Sequence, residues 1–239
     1  MFVKNFGDGK CKIAVSFSTM MARRVTNLVI FDCDGVLVDS EVIGCRVEAE
    51  FLSNIGIPIS ADEIIERYVG ISETAMFADI EARCGRKLPA NFAEKLRERI
   101  SAAFDAELAA MPGIEVALNG ISSARCVASS STPERLRRSL TLARLFQYFE
   151  PHIFSATQVA LGKPAPDLFL FAATQMKASP ETCTVIEDSE AGVRAAIAAG
   201  MRVLGFTGGS HCGSGHSARL RGAGAATVFD DMRNLPALI

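Results

Sequence analysis

The strongest constraint on this chain is a series of short, uninterrupted apolar runs, each too short for a helix and each closed by polar side chains. They fall at residues 27–31 (NLVIF), 125–128 (RCVA), 182–186 (TCTVI), 202–206 (RVLGF) and 226–229 (ATVF). Runs of this length, rich in β-branched residues and apolar on both faces, read as strands covered on both sides. Helical patterns separate them. The clearest is the alanine-rich stretch at 190–199, stopped by Gly200, a residue suited to a helix C-terminus. Strands alternating with helices predict an α/β fold with a parallel sheet and right-handed crossovers.

One region breaks the alternation. Residues 40–110 contain no strand signal. Ile43, Val47 and Phe51 recur at helical spacing, and Ser60-Ala-Asp-Glu63 forms a capping-box pattern opening a second helix. A charged helix follows over 90–110 and is ended by Met111-Pro112-Gly113. The block holds 13 acidic and 8 basic side chains, net −5, in a chain of net −2, so the remainder is +3. It reads as a helical domain inserted directly after the first strand. The expected organisation is a core domain of residues 25–39 and 111–239, a helical domain of 40–110, and an extension of 1–24 with no assigned role. The first twenty residues lack the charged and apolar segments of a signal peptide.

Bulk properties narrow the function classes. Hydrophobic content of 49% against 22% charged residues fits a compact globular chain. A net charge of −2 supplies no basic field for nucleic acid. No apolar run reaches the about 18 residues of a membrane span. The seven cysteines are scattered, and none stands in CxxC spacing. This predicts a reducing, cytoplasmic setting rather than a disulfide framework. A monomer acting on a small molecule is expected.

Ligands of open parallel sheets bind at the carboxyl ends of the strands. Asp32 and Asp34 close the first run, in FDCDG; Ser129, Ser130 and Ser131 close the second, in CVASSSTPE; Glu187 and Asp188 close a later one, in TVIEDSEAG. Lys163, in LGKPAPD, approaches the same edge. Carboxylates crowded there raise one another's pKa unless something positive neutralises them. Oxygen-only ligands select a hard cation such as Mg²⁺. A lysine, serine hydroxyls and helix-start N–H groups suit phosphate oxygens. Together with a carboxylate nucleophile these are the parts needed for phosphoryl transfer. Cys33, between the two aspartates, is assigned to packing, and His211-Cys212-x-x-x-His216 to a glycine- and serine-rich loop rather than a soft-metal site.

The order DxDGxxxDS, strand-end serine, Lys-Pro-x-Pro-Asp and Glu-Asp-Ser resembles the haloacid dehalogenase superfamily over about residues 25–235, closest to its cap-bearing, β-phosphoglucomutase-like branch. The resemblance implies a Rossmann-like core with a mobile helical cap formed by the insertion. It implies that Asp32 attacks phosphorus, that Asp34 is general acid and then base, and that Ser129 and Lys163 hold the phosphoryl oxygens. Mg²⁺ would be held by Asp32, the Asp34 main-chain carbonyl, Glu187 and Asp188. Ser130, Ser131, Gly70 in the VGISET loop, and Arg46 on the first cap helix are the candidate substrate contacts; Asp39 and Ser40 would shape the cap junction and cap that helix. Where the mutases carry a histidine and a phosphate-gripping arginine, this chain has Gly44 and Glu73. The departures favour hydrolysis of a small phosphorylated metabolite, a sugar or sugar-acid monophosphate with 6-phosphogluconate among the candidates. The alternatives are a phosphosugar mutase and a non-catalytic binding protein. A DxD-type glycosyltransferase would leave Lys163 and the Glu187-Asp188 pair without a role.

Overall fold

A computed structural model describes residues 26–239; the extension read at 1–24 lies outside the described residues. The first strand, β1 (Leu28–Phe31), leads into four helices: α1 (Glu41–Asn54), α2 (Ala61–Tyr68), α3 (Glu73–Cys84) and α4 (Phe92–Glu107). The chain then runs through α5 (Ile114–Gly120), β2 (Ala124–Ser129), α6 (Pro133–Leu142), β3 (Ile153–Ser155), α7 (Asp167–Gln175) and β4 (Cys183–Glu187). It ends with α8 (Glu190–Ala198), β5 (Arg202–Phe206), α9 (His216–Ala223), β6 (Thr227–Phe229) and α10 (Leu235–Leu238).

The six strands form one parallel sheet in the order β3-β2-β1-β4-β5-β6. The central strand β1 shows why its sequence is apolar throughout. Val29 and Phe31 enter one buried cluster with residues of α5 and α6, while Leu28 and Ile30 enter a second with residues of α7 and α8. The order reverses at β1, since β2 and β4 flank it on opposite sides. That reversal opens a crevice at the strand ends.

The segment 41–107 builds a separate apolar cluster from Leu52, Ile64, Tyr68, Met76, Ile80, Phe92 and Leu96. Its two connections to the sheet domain lie side by side. Val38 and Ala110 form an antiparallel bridge, Asp39 N donates to Ala109 O at 3.2 Å, and Met111 N donates to Leu37 O at 2.8 Å. Only half of the expected capping box forms at α2. Ser60 accepts from Glu63 N at 3.1 Å, but the Glu63 carboxylate turns to Arg67 and Arg83. Ser40 precedes α1 without capping it through its side chain; its hydroxyl is engaged elsewhere. One strand escaped sequence reading. β3 has three residues at the sheet edge, and only Ile153 and Phe154 stand apolar between His152 and Ser155, too few to read as a run. Among the described residues, no helix is long and apolar enough to cross a membrane.

Candidate active site

Asp32 N still belongs to the ladder, donating to Ile186 O at 3.0 Å. The chain then turns at Gly35, whose φ of +76° and close approach to Asp188 leave no room for a side chain; a Cβ there would stand 2.0 Å from Asp188 Oδ2. The turn brings the β1 carboxylates against those at the end of β4. Lys163 joins them. Its Nζ donates to Asp32 Oδ1 at 2.6 Å and to Glu187 Oε1 at 2.5 Å, with only 5% of its side chain exposed. The Phe169 ring lies 5.0 Å from the same ammonium. Burial works against the lysine's charge, but the two carboxylates outweigh it and push its pKa up.

Glu187 is fully occupied. Its Oε2 accepts from Ser189 N at 3.1 Å and Ser189 Oγ at 3.0 Å, and Gly192 in α8 leaves the space the carboxyl fills. Asp32, Glu187 and Asp188 are all buried, with carboxylate oxygens within 4.8 Å of one another. Burial, despite the nearby Lys163, and the charges of Glu187 and Asp188 push the Asp32 pKa well up; burial and Glu187 do the same to Asp188. An all-oxygen group in which negative charge is disfavoured by its neighbours is what a hard divalent cation relieves.

Asp34 lies in a different field. Its Oδ1 accepts from Ser40 Oγ at 2.7 Å and from Arg135 Nη2 at 3.0 Å, and its Oδ2 accepts from Ser131 Oγ at 2.7 Å. Burial pulls its pKa up, but the Arg135 guanidinium and the two hydroxyls overcome it and hold the carboxyl below its usual range. The two aspartates, two residues apart, are therefore pushed in opposite directions. Ser129 is buried at the end of β2, where its Oγ accepts from Ser131 N at 3.2 Å. Ser130 is exposed.

Two sequence candidates lie on the inserted domain. Arg46 is bound to Glu50 at 3.3 Å and, bidentate, to Glu107 at 2.7 Å, on an exposed face of the inserted domain. Its guanidinium pairs with acidic residues of the inserted domain itself, the Glu50 partner among them. Gly70 sits in a left-handed turn between α2 and α3 with open space around it. Conversely, sequence reading passed over Arg135, one turn into α6, which also stacks 5.1 Å from the Phe104 ring of α4. Glu41 and Glu48 were passed over as well. Burial, Asp34 and Asp188 push Glu41 up to about 8; burial, despite Arg135, pushes Glu48 up to about 7. The loop histidines turn inward: His211 Nε2 lies 3.0 Å from Asp188 Oδ2, and His216 Nε2 lies 2.6 Å from Asp188 O.

A parallel α/β sheet with a helical insertion after its first strand, and a lysine-bridged carboxylate cluster at its switch point, defines a Rossmann-like enzyme with a cap. The haloacid dehalogenase-like hydrolase family matches residues 29–206, and the chain belongs to that family. It is 33% identical over 184 residues to the 6-phosphogluconate phosphatase of Escherichia coli, covering 77% of this chain and 83% of the relative. To the β-phosphoglucomutase of Bacillus subtilis it is 33% identical over 191 residues, covering 74% and 81%. A solved haloacid dehalogenase-like protein of unknown function from Agrobacterium tumefaciens superposes with a TM-score of 0.83 at 41% identity, covering 89% of this chain and 97% of the other.

Proposed function

We propose that this protein is a Mg²⁺-dependent phosphatase of a small phosphorylated metabolite, a sugar or sugar-acid monophosphate, with 6-phosphogluconate a leading candidate. The observation that carries the reading is the opposed environment of the two aspartates. Asp32 faces Lys163 and the acidic cluster, where a phosphoryl group and a cation would both be held; Asp34 faces hydroxyls and a guanidinium. The phosphatase name of the Escherichia coli relative supports it.

In the first half-reaction a carboxylate oxygen of Asp32 bonds to phosphorus as the P–O bond to the sugar breaks. Asp34 gives its proton to the departing oxygen, and the phosphoryl group rests on Asp32 as an acyl phosphate. Asp34 then takes a proton from water, whose oxygen bonds to phosphorus as the Asp32–phosphorus linkage breaks. Inorganic phosphate leaves and the Asp32 carboxylate is restored. Ser40, Ser131 and Arg135 hold the Asp34 carboxyl in place for both proton transfers. Lys163 and Ser129 take the phosphoryl oxygens.

Asp32, Asp188 and the Asp34 carbonyl would hold the ion, which when bound supplies positive charge to the phosphoryl oxygens. Glu187, the fourth candidate ligand, lies in the same acidic cluster; its Oε1 also accepts from Lys163 and its Oε2 from Ser189, so it positions the lysine as well. The mutase alternative loses support at Glu73, which pairs with Arg97 at 2.7 Å in place of a phosphate-gripping arginine. We place the enzyme in the cytoplasm, consistent with six unpaired cysteines among the described residues, and propose that it acts as a monomer.

Asp32→Asn is expected to reduce phosphate release by at least about 10³-fold, and a chelator is expected to abolish activity until Mg²⁺ is restored. Both are measured as inorganic phosphate liberated from a panel including glucose 6-phosphate, hexitol phosphates and 6-phosphogluconate. Turnover surviving in the variant would sink the covalent route; isomer interconversion without free phosphate would establish a mutase.

A further inference from the structure

We propose that His211 is a positioning residue for the metal centre: its Nε2–H holds the Asp188 carboxylate through Oδ2 and fixes the orientation in which that carboxylate would meet the ion, while His216 fixes the Asp188 main chain. The inference rests on the metal reading above and adds to it a role for the loop between β5 and α9.

The imidazole of His211 is inside the protein, with 1% of its side chain exposed. Two close approaches make the space for it. A Cβ on Gly209 would stand 2.8 Å from ring atoms Cε1 and Nδ1, and a Cβ on Gly35 would stand 3.0 Å from Cε1. Its Nε2 lies 3.0 Å from Asp188 Oδ2, whereas Nδ1 is buried with no hydrogen-bond partner. Leaving a buried nitrogen unsatisfied costs free energy that an apolar side chain of similar size would avoid. The ring's polar function therefore lies in Nε2 and its hold on Asp188. A carboxylate oxygen accepts, so Nε2 is the nitrogen that carries the proton in this contact.

His216 acts on the same residue from the other side. A carbonyl can only accept, so its Nε2 donates to Asp188 O at 2.6 Å, and its Nδ1 accepts from Arg219 Nη2 at 3.0 Å. The loop is itself anchored, since Ser210 donates through both its N and its Oγ to the Asp39 carboxylate, one residue before Ser40. The neighbouring Cys212 Sγ lies 3.4 Å from His211 Nε2, and burial pushes its thiol up to about 12. His211 Nε2 faces Asp188 and both His216 nitrogens are engaged, so the two rings act on Asp188. Partners that orient a metal ligand in this way are typically worth about 10–100-fold in metal affinity or activity.

The experiment is a calorimetric titration of Mg²⁺ into the full chain freed of metal, comparing wild type, Asp188→Asn, His211→Leu and His211→Gln. The expected result is Mg²⁺ binding lost in D188N, weakened about 10–100-fold in H211L, and restored to near the wild-type value in H211Q, whose amide reaches the same oxygen. The KM for substrate at saturating Mg²⁺ is expected to be unchanged in H211L. Wild-type affinity in H211L, with D188N inactive for binding, would overturn the role of His211 alone. Absence of binding in the wild type, or its survival in D188N, would overturn the metal reading beneath it. Should H211L fail to fold, His211→Asn keeps a polar amide that stops short of Asp188, and weaker binding in it than in H211Q is then the expected result, with equal binding in the two overturning the role.

Discussion

Glu48 shows how a single ionisable group can report on the face that the inserted helices turn to the sheet domain. Burial, despite the guanidinium of Arg135 and with the charge of Glu73, raises its pKa from 4.5 to about 7. The folded protein thus binds this proton more tightly than the unfolded chain. Its contribution is neutral below about pH 4.5 and becomes increasingly destabilising as pH rises through 7. Glu48→Gln removes the charge, so the variant should match wild type near pH 4.5 and exceed it at pH 8 by on the order of 1–2 kcal/mol, given partial exposure. Thermal melts at the two pH values check it, and a gap that does not widen would show that Glu48 is solvated. Neither Glu48 nor Arg135 was legible in the sequence. Each looks like any charged residue on a helix, and what distinguishes them is the proximity of α1 to α6 across a long stretch of chain. Asp32, Asp34, Lys163 and Glu187-Asp188 stood out because each follows or approaches an apolar run, and strand ends share an edge. His211 stood out only as part of His211-Cys212-x-x-x-His216, a pattern that gave no pointer to Asp188. Its contact with Asp188 is made by a loop with no periodicity.

Among the elements, α8 carries two demands on one residue. Gly192 lies in its first turn, where alanine would ordinarily be better by about 1 kcal/mol. The space above it is taken by Glu187: a Cβ would stand 1.9 Å from Glu187 Cδ. Gly192→Ala is therefore expected to lower the melting temperature rather than raise it. By driving Glu187 off Lys163 it should also cut turnover by about 10²-fold. A stabilised, active variant would show that the glycine serves the helix alone. The strands were the readily legible elements because burial on both faces leaves an unbroken apolar run. β3 was not, because only Ile153 and Phe154 stand apolar between His152 and Ser155. The strand order was not legible either, since a parallel sheet joins segments distant in sequence, Val29 to both Arg125 and Thr184. Ser40 was misread for a related reason. Serine before a helix ordinarily caps it, but here the hydroxyl turns to Asp34 at 2.7 Å.

At the scale of the whole molecule, apolar packing is divided three ways, with one cluster on each face of the sheet and a third among the inserted helices. Few side chains join the third to the others. Phe104 and Leu108 pack into the sheet's own cluster, Arg135 stacks on Phe104, and Arg138 pairs with Asp105. The two connecting segments, meanwhile, already run antiparallel and hydrogen-bonded at Val38 and Ala110. Strands so paired can be closed by a two-residue turn. A chain in which Asn-Gly replaces residues 40–108 is expected to keep the parallel sheet and melt cooperatively, at a lower temperature because Phe104 and Leu108 are gone. Circular dichroism through a melt tests this, and a non-cooperative transition would show that the sheet domain cannot stand alone. The paired connections make the helical block an interchangeable module. A different block could be spliced between Ser40, which stays on Asp34, and Ala109 without rethreading a single strand, so new substrate preferences could be acquired while the reaction centre stays in place.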